Sequence, residues 1–298
     1  FKQRCLNQPY GDVGHLLRPL AYKVHPYQWP TIGKELSHIA NATLDEVKDF
    51  FFRFYAPNNA VLAVTGNISF EETVALTEKW FASIPKRDVP VRQLPQEPAQ
   101  TEERRLVVER NVPVDSLFMA YHMCERAHPD YYAFDILSDI LSNGKSSRLN
   151  RHLVQEKQLF SSIDAYISGT VDAGLFHISG KPAAGVSLEE AETAVREELN
   201  RLQNEAVTVQ ELEKVKNKFE STQIFGNINY LNVATNLAWF ELNGAAEDME
   251  KEVERYRSVT AGQLQAVAQT SFDKRNGVVL YYKGLSPAVS VREGVKLD

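Results

Sequence analysis

Histidine and cysteine are the residues in this 298-residue chain with most scope for metal or nucleophilic chemistry: His15, His25, His38, His122, His128, His152 and His177, with Cys5 and Cys124. One stretch, His-Met-Cys-Glu-Arg-Ala-His from His122 to His128, gathers two imidazoles and a thiol. Structural zinc takes four converging ligands. Side chains at a strand end point different ways and no second cluster supplies the rest, so a strand end and loop is the simpler reading. No two histidines stand four apart and no Glu-His dipeptide occurs, which removes the helix of two histidines and a glutamate that binds and uses catalytic zinc. Carboxylates gather at Asp45, Glu46 and Asp49, and again at Glu189, Glu190 and Glu192. Paired carboxylates do acid–base work only where burial shifts their proton affinity. Both groups open helices, where negative charge complements the dipole and faces water. There is no Gly-x-Ser-x-Gly elbow and no Gly-x-x-x-x-Gly-Lys phosphate loop.

The elements that would position any site follow from composition and periodicity. The chain is 43% hydrophobic and 24% charged, which is globular composition with room for one large domain or two medium ones. A net charge of -6, spread along the chain, offers no basic face for nucleic acid. No apolar run reaches membrane-spanning length. Two thiols are too few for a disulfide scaffold and read as free or buried, with a Cys5–Cys124 bridge left open.

Val13–Val24 is loosely amphipathic but interrupted by Pro19. Thr43-Leu-Asp-Glu46 is a capping box opening a helix with Val47, Phe50, Phe51 and Phe54 as its apolar stripe. Ala60–Val64 fits a buried strand, and Phe70–Ile84 a helix with Val74, Leu76, Trp80 and Phe81 inward. Pro85–Gln100 carries four prolines and no apolar face, so it reads as an extended linker or surface crossover. Beyond it, strands are expected near 105–112, 117–122, 161–168, 175–180 and 277–282. Helices are expected at 131–141, 146–155 (with Ser146 or Ser147 as cap), 188–203, 260–270 and, interrupted, 210–241. Alternation of sheet and helix gives an α/β or α+β class.

One order of features occurs twice. Thr43 opens a helix, Asn59 follows sixteen positions later, and an apolar run ends at Gly66; Thr260, Asn276 and Gly284 repeat this. A duplicated unit accounts for it. The offset from Asn59 to Asn276 is 217 residues, so the first copy should begin about 110 residues before Phe1. The two apolar runs should then sit in similar packing surroundings.

The stretches "HPYQWPTIG" (His25–Gly33), "TLDEVKDFFFRFYAPNNAVLAVTGNISFEETVALTEKWFASIP" (Thr43–Pro85) and "SNGKSSRLNRHLVQEKQLFSS" (Ser142–Ser162) resemble the M16 (pitrilysin/insulinase-type) zinc peptidases. The resemblance implies an α+β fold of duplicated units, each a mostly antiparallel sheet flanked by helices, closing on a chamber where unfolded peptides are cut. It implies residues 1–85 as the rear of a first unit, 86–103 as linker, 104–288 as a complete second, non-catalytic unit, and 289–298 as a tail. Zinc is expected in the full-length protein, on a His-x-x-Glu-His helix with a further glutamate falling just before Phe1. This chain should hold no metal ligand or catalytic residue and be inactive alone.

Many relatives carry an arginine and, seven positions on, a tyrosine that reach the substrate. Here Val154 and Ser161 stand at those positions, and Arg148 is the nearest upstream arginine, with an ion pair or cap contact as its plainer role. The implied partners are unfolded peptides, a second copy of the chain or an M16-like partner subunit. The alternative reading is a non-catalytic partner or scaffold subunit of a peptidase complex.

Overall fold

The computed structural model describes Cys5 and residues 7–285. The expected end of the second unit and the expected 289–298 tail lie outside the described residues. Five strands, β1 (Arg104–Arg110), β2 (Ser116–His122), β3 (Phe160–Ile167), β4 (Leu175–Pro182) and β5 (Gly277–Gly284), form one sheet in the order β1-β5-β2-β4-β3. Only β1 and β5 run parallel; the other neighbours are antiparallel. The run Val278–Tyr282 is buried on both faces, as suits a strand between β1 and β2.

One face carries the main core. Leu117, Met119, Ile163, Phe176, Ile178 and Val279 of the sheet pack against α5 (Tyr131–Ser142), α6 (Leu188–Asn204), α7 (Val209–Gly226), α9 (Asp248–Ser258) and α10 (Ala261–Ser271). The other face is covered in part by α1 (Val13–Ala21), whose Leu17 and Ala21, with Tyr22, meet Ala120, Leu175, Val278, Leu280 and Tyr282. Burying a leucine such as Leu17 stabilises by roughly 1.5–3 kcal/mol, so this N-terminal helix is part of the sheet's second core. The proline-rich segment has no helix or strand, yet it is anchored. The Glu97 carboxylate accepts from the backbone N–H groups of Lys23, Val24 and His25 at 2.7, 2.9 and 3.0 Å. Gln100 Nε2 donates to the carbonyls of Arg275 and Gly277, and Arg92 pairs with Asp172.

Toward the N-terminus stand α2 (Leu36–Ala40), α3 (Leu44–Phe54) and α4 (Phe70–Phe81). The Thr43 capping box is formed in full. The repeated features share their local geometry: α3 and α10 are both eleven residues, both open with a capping box, and both lead to a 3-10 turn and an asparagine. Asn59 Nδ2 donates to the Phe54 carbonyl at 2.8 Å, and Asn276 Nδ2 to the Ser271 carbonyl, also five residues back, at 2.8 Å.

Their surroundings differ, against expectation. Ala60–Val64 is extended but pairs with no strand among the described residues, whereas Val278–Tyr282 lies mid-sheet. The expected inward residues also face out: Val47, Phe50, Phe51, Val74, Leu76, Trp80 and Phe81 are all exposed, Trp80 by 65%. The described residues supply no layer for these helices to pack on. Other differences are local. Ser146–Gln155 becomes a π-helix at Asn150–Glu156 without a side-chain cap, Ser147 Oγ donating instead to the Gly144 carbonyl. The 210–241 region divides into α7 and α8 (Tyr230–Asn243), with Asn229 capping the second. Among the described residues no helix is long and apolar enough to cross a membrane.

Candidate functional site

Strand alternation sorts β3 and β4 into two faces. Ile163 and Ala165 of β3, with Phe176 and Ile178 of β4, enter the main core. Ser162, Asp164 and Tyr166 point to the opposite face and are exposed. They stand against Lys181, Ser179 and His177 of β4 in register. The α1 core takes in Leu175 of β4 but no β3 side chain among the described residues, so this corner of the sheet stays open.

Tyr166 is 51% exposed, and its ring stacks on His177 at 4.8 Å and 14°. His177 Nε2 lies 2.8 Å from Ser168 Oγ. Burial, aided by the nearby Arg18 charge, pushes the His177 imidazole down to about 4, so it is neutral at pH 7. Lys181 Nζ sits 5.2 Å over the Tyr10 ring. The face therefore offers a ring, hydroxyls, one carboxylate, one ammonium and a neutral imidazole, groups able to stack and to hydrogen-bond.

The edge of β3 is less open than the face. Ser168 N–H donates to the Leu175 carbonyl, which fixes the phase of the ladder: Asp164 and Tyr166 bond toward β4, and Ile163, Ala165 and Ile167 present their backbone groups outward. Ser142 Oγ of α5 donates to the outward Ala165 carbonyl at 2.8 Å. The edge is thus blunted at its middle.

The residues singled out from sequence lie at separate places. Ser161 sits in the β-bulge between Phe160 and Ser162, exposed, its Oγ donating to the Lys181 carbonyl at 3.1 Å. It is next to the open face. Val154, on the π-helix, is half-buried and packs against the main core. Arg148 makes a two-pronged ion pair with Glu211 at 2.9 and 3.0 Å. Glu211 also closes the Thr208 capping box, and the Arg148 bonds foremost, with those from Thr208, hold its carboxyl at about 2. Arg148 therefore has the ion-pair role. Gln158, between Val154 and Ser161, adopts φ 54°, a left-handed conformation that favours glycine.

Among the described residues no group of three or more His, Cys, Asp or Glu side chains could hold a metal ion, so the zinc implied for the full-length protein does not fit any donor set here. His122 Nε2 lies 3.1 Å from the Ala21 carbonyl, and His128 Nδ1 accepts from Asp130 N–H. Cys124 packs against the main core, where burial pushes its thiol up to about 12. Cys5 and Cys124 are both free. Glu192 corrects the view of its cluster as water-facing. It is buried and accepts from Arg105, Arg196 and Tyr281. Burial alone would raise its carboxyl, but those bonds outweigh it and hold the group at about 2.

Sequence reasoning missed Asp164 and Tyr166 and counted His177 only among the histidines. The signal was present: Ser162, Asp164 and Tyr166 recur at every second position between apolar residues.

Residues 41–219 match the family described as the peptidase M16 inactive domain. The zinc protease PqqE of Helicobacter pylori is 31% identical over 216 residues, which make up 72% of this chain and 48% of that protein. The chain thus spans about half the length of this relative. A solved protease structure from Helicobacter pylori superposes with a TM-score of 0.88 at 26% identity, covering 95% of this chain and 69% of that one. A chain of complex III2 from Candida albicans shares the fold, with a TM-score of 0.78 at 18% identity over 93% of this chain and 67% of that one.

Proposed function

Because this chain belongs to the peptidase M16 inactive-domain family, we propose that it forms the non-catalytic wall of a zinc peptidase's substrate chamber. Unfolded polypeptide lies along the open corner of the sheet while the bond is cut by groups outside this chain. The observation that carries the reading is the β3–β4 face: Tyr166 exposed over a neutral His177, flanked by Asp164, Ser162 and Ser179, beside the Ser161 bulge. A stacking surface with neutral, acidic and basic hydrogen-bonding groups selects for exposed backbone and side chains, so it favours unfoldedness over a fixed sequence. Of the two family-derived positions, only Ser161 borders this face.

Fluorescence anisotropy of a labelled, unstructured peptide tests the proposal. Binding by the chain should weaken about threefold to tenfold in Tyr166→Ala, in keeping with the loss of one aromatic contact. Binding that is absent, or indifferent to Tyr166, would remove this wall from the account.

The second reading, a scaffold subunit beside an active partner, gains support from Val154 and Arg148. One is packed into the core and the other is neutralised by Glu211, so neither is free to reach a substrate. Purified chain mixed with an active M16 peptidase separates the two: a stable complex with unchanged peptide affinity favours the scaffold.

A further inference from the structure

A cavity of about 640 Å³ opens among the helices at the end of the sheet where β3 turns into β4, with Val171 of that loop in its wall. It lies among the loop after β2, the end of α8, α9 and the start of α10. Its volume suits a ligand of roughly dipeptide size. The wall has an aromatic part, Tyr132, Trp239 and Phe240, and a cationic part, Arg126 and Arg255.

The two guanidiniums are held in fixed poses. Arg126 lies 4.2, 5.3 and 5.1 Å from the ring centroids of Tyr131, Tyr132 and Trp239, and it pairs with Glu252. Arg255 donates to Tyr132 Oη at 3.2 Å and to Asp248 Oδ1 at 2.8 Å. Asp248 is shared with Lys251 at 3.1 Å, so the Asp248–Arg255 pair is not exclusive. A planar guanidinium with one single-pronged carboxylate partner retains donors for a second oxyanion. Rings that orient a cation also give a flat apolar body something to stack on.

We propose that this cavity is a binding site for a small organic carboxylate with an aromatic body, seated with its ring beside the half-buried Trp239 and its carboxylate on Arg255. No residue of β3 or β4 themselves lines it, so its lining is distinct from the peptide-bearing face. A peptide C-terminus and a free aromatic acid share this chemistry.

Calorimetric titration of the whole chain with Gly-Phe, Gly-Phe amide and 3-phenylpropionate tests it. The carboxylate of Gly-Phe should bind at least about tenfold more tightly than the amide, the worth of a charge-assisted bond. Arg255→Gln should abolish that preference, and it leaves Asp248 with Lys251. Val171→Trp, placed on the exposed rim of the cavity, should block binding without touching the core. Binding of Gly-Phe alone assigns the site to peptide ends; binding of both acids assigns it to aromatic carboxylates in general. No binding by either acid, equal binding of the amide, or binding untouched by both variants overturns the proposal.

Discussion

Replacing His177 by phenylalanine should leave the fold nearly unchanged at neutral pH and remove a large acid sensitivity. The folded chain keeps this imidazole neutral until about pH 4, because burial and Arg18 oppose its charge, whereas an unfolded chain protonates it near 6.5. Between those values the unfolded state binds more protons, so stability falls as pH falls. At about 1.4 kcal/mol per pH unit, the window from 6.5 to 4 removes roughly 3 kcal/mol. Phenylalanine keeps a ring under Tyr166 and cannot titrate. It forfeits the contact with Ser168 Oγ, worth about 0.5–1.5 kcal/mol. Urea unfolding followed by circular dichroism, at half-unit steps from pH 7 to pH 4, gives the difference between wild type and His177→Phe. Other groups titrate in both proteins and cancel. The difference should start within about 1.5 kcal/mol of zero, favouring wild type, and move by roughly 3 kcal/mol toward the variant by pH 4. A difference that stays flat through pH 6.5 to 4 would refute a buried, neutral His177.

Glu192→Gln should destabilise by roughly 3 kcal/mol at pH 7, since the carboxyl sits at about 2 rather than 4.5. That advantage is whole above pH 4.5 and fades as pH falls through 2, so acid unfolding of the two proteins should converge there. Asn276→Ala should cost about 1–3 kcal/mol, because the amide serves the carbonyls of both Ser271 and His122. The matching Asn59→Ala, with its single exposed bond to Phe54, should cost less in the same urea assay. Gln158→Gly should stabilise by up to about 1 kcal/mol, relief of a left-handed backbone slightly exceeding the added chain entropy; a loss of stability in thermal unfolding would contradict this.

Much of this was legible where local rules and tertiary packing agree. The capping boxes at Thr43 and Thr260 mark their helix starts by side-chain chemistry alone, and the run Val278–Tyr282 is apolar on both faces because both faces are covered. The repeat was readable as cap, helix and asparagine, but not the bond each asparagine makes five residues back nor the different surroundings of its two apolar runs. Three things were not. The stripes on α3 and α4 are amphipathic by pattern, but pattern cannot say whether a partner layer is present, and their residues lie exposed. α9 went unseen because its sequence, Asp248–Ser258, is mostly charged, and only Glu252 and Tyr256 are buried. Glu192 looked like a helix-start carboxylate; its partners Arg105 and Tyr281 come from β1 and β5, 87 and 89 positions away, which no local window contains. The open face shares that origin, since Tyr166 and His177 meet only through the β3–β4 register.

Photo-crosslinking can show whether extended polypeptide is held on the β3–β4 face. An unstructured peptide carrying benzoylphenylalanine is bound to the chain, irradiated and mapped by mass spectrometry. Adducts are expected within Phe160–Ile167 and Leu175–Pro182, lost on competition with unlabelled peptide. Adducts confined to the exposed apolar residues of α3 and α4, with none on β3 or β4, would contradict it.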